Sequence, residues 1–168
     1  MGATVKRTKS ADEALQSLMR LCSRAERSSG DALRLMRRWG VGDADARRVL
    51  ARLQAERFID DRRFAEMFTR EKLNLNGWGS FKIKASLRQK GISQEIIAEV
   101  VEPMLGESDT ESRLTELLQR KVRSIKGNSD YEIKTKLIRF ALSRGFEMEV
   151  VQTCASKIIK GIDEDFSI

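Results

Sequence analysis

Apolar residues recur at three- and four-residue intervals through most of this chain, broken by short clusters of glycine, serine and aspartate. That period predicts amphipathic helices throughout. Ala11 to Arg27 places Leu15, Leu18, Met19 and Cys22 on one face, with Arg20, Arg24 and Arg27 largely opposite. Ser28-Ser29-Gly30-Asp31 interrupts and caps. A second helix is predicted from about Ala32 to Trp39, stopped by Gly40, and a third from about Asp43 to Glu56. Asp60 is placed as N-cap of the next helix, with Ile59 and Phe64 as its hydrophobic staple and Phe64, Phe68 and Leu75 along one face. Gly77-Trp78-Gly79-Ser80 is a break. Phe81, Ile83 and Leu87 then form the inner face of a helix that Gly91 stops, and Ser93 caps the helix of Ile96, Ile97, Val100 and Val101. Pro103 is expected to end or bend that helix, and Gly106 to Asp109 to link onward. Three further helices follow, from Leu114 to Ile125, Tyr131 to Arg144, and Glu147 to about Ile159, before a frayed acidic tail from Gly161 to Ile168.

Gly40, Gly91 and Gly145 can be superposed, at spacings of 51 and 54 residues. One place after each stands Val41, Ile92 or Phe146. Six places after stand Ala46, Ile97 and Val151, and nine after stand Val49, Val100 and Cys154. The first two positions are N′ and N4 of the following helix, so each unit can carry a staple at the same corner. The expectation is an all-α chain of three tandem three-helix (helix-turn-helix-like) repeats, residues 1–56, 57–107 and 108–168, forming an elongated molecule that can be curved.

Composition narrows the classes. An aromatic content of 6% and a charged content of 34% suit small helical units with large solvated faces. The net charge of +7 is concentrated at the amino end: residues 1–56 carry +5, and residues 57–107 and 108–168 carry +1 each. This fits either a mixed solvated surface or a chain that meets polyanions. Cys22 and Cys154 form no CxxC unit and are expected as buried free thiols of a reducing compartment rather than a disulfide. No apolar run approaches a membrane span and none follows the basic start, so a cytoplasmic protein without membrane contact is expected.

Bond chemistry has little to work with. The chain lacks histidine, which removes Ser-His-Asp and Cys-His pairs and the HExxH zinc motif. No GxxxxGK[ST] loop occurs, and Gly77-Trp78-Gly79 lacks the strand and third glycine of a dinucleotide loop. Asp60-Asp61 point about 100° apart at a helix start, without a further acidic group to complete a metal site. Helix capping explains them better. No cofactor, no metal and no enzymatic activity are expected.

The cations carry more information. Lys82, Lys84, Arg88 and Lys90 are expected on the outer face of one helix beside Trp78. Arg34, Arg37 and Arg38 occupy the matching helix of the first repeat, and Lys134, Lys136 and Arg139 that of the third. Three such faces could track a phosphate backbone, or could be solvated faces without a ligand. Trp78 is either a contact anchor or a lid folded back on the core.

These residues also carry a resemblance. Leu53, Arg57-Phe58-Ile59-Asp60-Asp61, Arg63-Phe64-Ala65, Gly77 and Gly79, Ile83 and Leu87-Arg88-Gln89-Lys90-Gly91-Ile92 closely resemble the RecX family. Ser29 and Leu33, and Arg139-Phe140 with Gly145-Phe146, are similar to that family's ends. The chain departs at Arg38-Trp39-Gly40-Val41, where many relatives have a Lys/Arg-Gly pair, and at Gly77-Trp78-Gly79-Ser80, which lacks a common proline. The resemblance implies a bacterial regulator of the RecA recombinase that acts in DNA recombination, DNA repair and the SOS response. It implies binding along the groove of the RecA–DNA filament, where it limits extension or promotes disassembly without catalysis of its own. The partners implied are the RecA filament, and DNA directly or through RecA, met by a monomer. The alternative is a stand-alone DNA-binding helix-turn-helix protein. For that, the helix from Asp43 to Glu56, with Arg47, Arg48 and Arg52, is the best reader, since Glu95, Glu99, Glu147 and Glu149 on the other post-glycine helices repel phosphate. A purely structural adaptor would bind neither DNA nor RecA.

Overall fold

The computed structural model describes residues 7–165. Among them are nine helices and no strands. They are α1 (Ala11–Arg24), α2 (Ser29–Arg38), α3 (Asp43–Ala55), α4 (Asp61–Asn74), α5 (Ser80–Gln89), α6 (94–107), α7 (Thr110–Val122), α8 (Asp130–Ser143) and α9 (Met148–Asp165). Two compact units are distinguished. One is the described chain through Met67 with Leu87–Val100; the other is Phe68–Ser86 with the chain from Val101.

In the first unit α1, α2 and α3 enclose a core that includes Leu18, Met36 and Leu53, all fully buried. Each such side chain contributes about 1.5–3 kcal/mol by leaving water. Helix α1 opens with a capping box, Ser10 Oγ accepting from Glu13 N while the Glu13 carboxylate accepts from Ser10 N. Asp60 caps α4 as expected, its Oδ1 accepting from Arg63 N at 3.0 Å. Asp61 has a separate task. Its carboxylate accepts from the Ser29 backbone N–H at 2.8 Å and from the Ser29 hydroxyl, at the start of α2. The acidic pair thus serves two helix N-termini, where orphan N–H groups and the positive dipole end favour carboxylates.

In the second unit α7, α8 and α9 enclose Leu114, Leu118, Leu137, Phe146, Val151 and Cys154. Three expectations are corrected in or beside it. Leu75 is 81% exposed because α4 has ended one residue earlier, although its spacing from Phe68 is in phase. Phe81 is 57% exposed, since it lies two residues, about 200°, round the helix from buried Ile83. The last helix runs through Gly161 to Asp165, beyond the expected end near Ile159; the remainder of the expected tail, 166–168, lies outside the described residues.

The three glycine corners share one geometry. Gly40, Gly91 and Gly145 have φ of 74°, 78° and 89°, a region glycine enters without the Cβ penalty. The glycine N–H donates three residues back, to Arg37, Arg88 and Leu142 O. The next N–H, of Val41, Ile92 and Phe146, donates five residues back, to Met36, Leu87 and Ala141 O. This is the Schellman pattern, closed each time by a buried apolar residue. At N4 of the following helices Ala46, Ile97 and Val151 are also buried. At the next matching position Val49 and Cys154 are buried, but in the middle set Val101 is buried in place of Val100. Helix α6 explains the slip. Residues Ile97–Val101 are π-helical, between α-helical Gln94–Ile96 and Glu102–Glu107. Pro103 can neither donate an N–H four residues back nor fit its ring there, and a widened turn relieves both.

A further recurrence lies just before each glycine. Trp39 O accepts from Lys9 N at 2.9 Å, Lys90 O from Ser28 Oγ at 2.7 Å, and Arg144 O from Gly79 N at 2.7 Å. At the second and third corners the donor opens an earlier helix, α2 or α5, so a helix N-terminus meets a helix C-terminus with complementary dipole ends. Closeness is enforced by missing side chains. A Cβ on Gly30 would lie 2.3 Å from Lys90 O, and one on Gly79 2.4 Å from Gly145 O.

Candidate binding surface

The expected contact residues fall into two groups according to what already engages them. In the first unit Arg34 pairs with Asp31 at 3.6 Å and donates to Gln89 O, while Lys90 reaches the same Asp31 at 3.7 Å. The structure thus brings Arg34 and Lys90 together around one carboxylate. Arg37, Arg38 and Arg88 are exposed and make no hydrogen bond or ion pair with the described residues. Arg37 and Arg88 each stand three residues before their glycine and hold equivalent places on α2 and α5.

In the second unit Trp78 is half-buried. Its ring is met edge-on by Phe68, at a centroid distance of 6.1 Å, and carries Lys82 Nζ at 4.4 Å and Lys72 Nζ at 4.9 Å from its centroid. The ring thus rests against Phe68 and has two ammonium groups within cation–π distance of its centroid. Lys84 pairs with Glu102 at 3.0 Å, and its side chain is only 19% exposed. On α8, Lys136 pairs with Glu132 at 3.0 Å and donates to Lys126 O, whereas Lys134 and the exposed Arg139 have no such partner among the described residues. On α3, Arg48 is paired with Asp45 and Arg52 with Glu56, and Arg47 Nε is turned back to Asp43 O. That helix is therefore largely self-compensated.

Sequence reasoning missed a cluster in the second unit. Arg113, Glu116, Leu117 and Arg120 lie on one stripe of α7 and line a cleft of about 600 Å³ with the 73–77 loop, Arg144 and Phe146. Arg113 Nη2 donates to Trp78 O at 2.7 Å and Leu73 O at 3.3 Å, and Arg144 Nη1 donates to Asn76 O at 3.4 Å. Burial holds the Arg113 guanidinium below its ordinary pKa. The i, i+3, i+4, i+7 spacing was visible in sequence, but not the loop that faces it. Both cysteines are free; Cys154 is buried as expected, whereas Cys22 is only half-buried, and that partial burial pushes its thiol up. Among the described residues no group of three or more His, Cys, Asp or Glu could hold a metal ion, and no helix is long and apolar enough to cross a membrane.

These features define a helical-repeat protein of helix-turn-helix-like units. Comparison with known proteins narrows the class. A model of the second three-helix domain of RecX matches residues 60–101, and one of the third matches residues 109–154. The regulatory protein RecX of Clostridium botulinum (strain Eklund 17B / Type B) is 36% identical over 109 residues, covering 64% of this chain and 50% of that protein. That of Bacillus cereus (strain B4264) is 29% identical over 130 residues, covering 77% and 48%. The chain spans about half the length of these curated relatives. The crystal structure of RecX from Lactobacillus salivarius superposes with a TM-score of 0.72 at 17% identity, over 88% of this chain and 96% of that one. A crystal structure of a regulatory protein RecX gives 0.76 at 19% identity, over 87% and 73%. The chain belongs to the RecX family.

Proposed function

We propose that this chain is a non-enzymatic regulator of RecA that binds the RecA–DNA filament in the cytoplasm, limits its extension or promotes its disassembly, and so acts in recombination, DNA repair and the SOS response. Family membership carries this reading. The surface is compatible with it: helices that present guanidinium and ammonium groups, with no enclosed polar constellation suited to bond chemistry among the described residues. The working units are the three-helix sets 1–56, 57–107 and 108–168, each offering modest contacts that gain strength by being linked. Within the cationic faces, Arg37, Arg38, Arg88, Lys134 and Arg139 are the residues that meet the filament, because they have no internal partner to give up among the described residues. Arg34, Lys82, Lys84, Lys90 and Lys136 shape the surface around them and Trp78 supports it from beneath.

The self-compensated α3 disfavours the stand-alone DNA-reading alternative, since its arginines would have to abandon Asp45 and Glu56 to reach base edges. The test is RecA-dependent ATP hydrolysis on single-stranded DNA as purified chain is added. Hydrolysis is expected to fall at or below an equimolar ratio. Unchanged hydrolysis at every ratio up to equimolar overturns the proposal.

A further inference from the structure

Three half-buried cations elsewhere sit beside carboxylates, Lys84 with Glu102 at 3.0 Å, Lys90 with Asp31 at 3.7 Å and Arg63 with Glu26 at 2.6 Å, whereas Lys82 and Lys121 rest on the Trp78 and Phe140 rings. Arg113 has no carboxylate within that range among the described residues. It spends Nη2 on two carbonyls of the 73–78 segment and its guanidinium lies 5.8 Å from the Phe146 ring centroid, while Nε and Nη1 have no oxygen acceptor among the described residues. Arg120, two helical turns further along α7, is exposed and unpaired among them, and Arg144 enters the same cleft from the Gly145 corner. Against these three guanidinium groups the lining offers one carboxylate, Glu116. A desolvated cation without a counter-ion is relieved when an anion enters, and a planar fork suits an oxyanion with more than one oxygen.

We propose that the cleft between α7 and the 73–77 loop binds a phosphodiester of a single-stranded nucleic acid, held by Arg113, Arg120 and Arg144. The lining favours a nucleic-acid strand over an acidic peptide. Phe146 is buried and Leu73 and Leu117 are half-buried, so the open part of the lining is mainly the three guanidinium groups with the Asn74 and Asn76 amides, which suit phosphate and sugar. Leu75, 81% exposed at the rim, is placed for apolar contact with a sugar or base. This site is distinct from the helix faces assigned to the filament and does not depend on that assignment.

The experiment is fluorescence anisotropy of a labelled oligothymidylate with the full chain over a salt series, for wild type, Arg120→Gln and Arg144→Gln. Arg113 is left intact because it holds the loop. Each substitution is expected to weaken binding about threefold to tenfold at low salt and to make the salt slope shallower by about 0.7 for each phosphate no longer neutralised. Melting temperatures equal to wild type for Arg120→Gln, which breaks no internal bond, would separate binding from folding. Unchanged affinity and slope in both variants overturns the site. Displacement by polyglutamate as effective as by unlabelled oligothymidylate also overturns it, in favour of an acidic peptide. Variants that lose oligonucleotide binding but still inhibit RecA leave both readings standing; a wild-type chain that binds oligothymidylate, loses that binding in the variants and has no RecA effect sinks the filament reading and not this one.

Discussion

The Gly40 and Gly145 corners have the same backbone and different surroundings. Both close a second helix in the left-handed region with the same pair of backward hydrogen bonds, and both expose the preceding carbonyl to a donor from earlier in the chain. At Gly40 the neighbour is a side chain: a Cβ there would meet Thr8 Cγ2 at 2.7 Å. At Gly145 the neighbours include backbone: a Cβ would meet Lys82 Cβ at 2.4 Å and Lys82 N at 2.5 Å. The first corner is covered by an extended segment that can turn aside. The third is the seat of helix α5, whose opening N–H groups, from Gly79 and Phe81, donate to Arg144 O and Gly145 O. The same turn therefore stops a helix in one place and also joins two helices in the other.

The largest effect should come from substituting the two glycines in parallel. Gly145→Ala is expected to lower stability by about 4 kcal/mol or more, since backbone strain and a clash with backbone add. Gly40→Ala should lose only about 1–2 kcal/mol, the cost of the left-handed region alone. Denaturant melts of both variants measure the gap, and equal losses would mean that the α5 seat adds nothing to the turn.

Next in size is Ser28. Its fully buried hydroxyl accepts from Asp31 N at 3.1 Å as the cap of α2 and donates to Lys90 O at 2.7 Å. Ser28→Ala removes both bonds and is expected to cost about 1–3 kcal/mol. Gly79 uses its backbone for the equivalent bond at the third corner, so no side-chain deletion there can match it. A Ser28→Ala protein as stable as wild type would show that the hydroxyl joint at the Gly91 corner is dispensable.

The smallest effect is set by pH. Hydrogen bonds from the Ser112 backbone and hydroxyl hold the Asp109 carboxyl below its ordinary value, and the Asn128 N–H and then Lys136 do the same for Glu132. A depressed folded-state pKa gives stability that is present above the unfolded value and lost as pH falls through the folded one. Acid melts should therefore show a loss below the ordinary carboxylate range that is reduced in Asp109→Asn. An unaltered acid profile in that variant removes Asp109 from the account.

Much of this architecture was legible from residue order, because it rests on local physics. A glycine after the last apolar position, followed at once by a large apolar residue, specifies a Schellman stop wherever it occurs, and all three corners obey it. The Asp60 cap is equally local. Asp61 was legible only as an acid near a helix start, since its partner Ser29 lies 32 residues earlier. The π-helical turn was not legible either: Pro103 announced a disturbance, but whether the chain breaks, bends or widens depends on how Val101 finds the core. The candidate surface divided in the same way. Spacing placed Lys84 and Arg88 on one helix, yet Glu102, which engages Lys84, is contributed by a later helix. Cationic faces can be read from sequence, and the cations that remain free on them cannot.

That distinction supplies the most direct test of the account. Arg37 and Arg88 hold equivalent places before two glycine corners, unpaired among the described residues, so reversing both to Glu should leave folding intact and change only what the surface attracts. RecA-dependent ATP hydrolysis on single-stranded DNA, measured with wild type and with the Arg37→Glu, Arg88→Glu protein at equal concentrations, reads this out. Wild type is expected to inhibit, and the double variant to need at least about tenfold more protein for the same inhibition, which corresponds to about 1.4 kcal/mol. Equal inhibition by the two proteins, with both folded, would contradict the account.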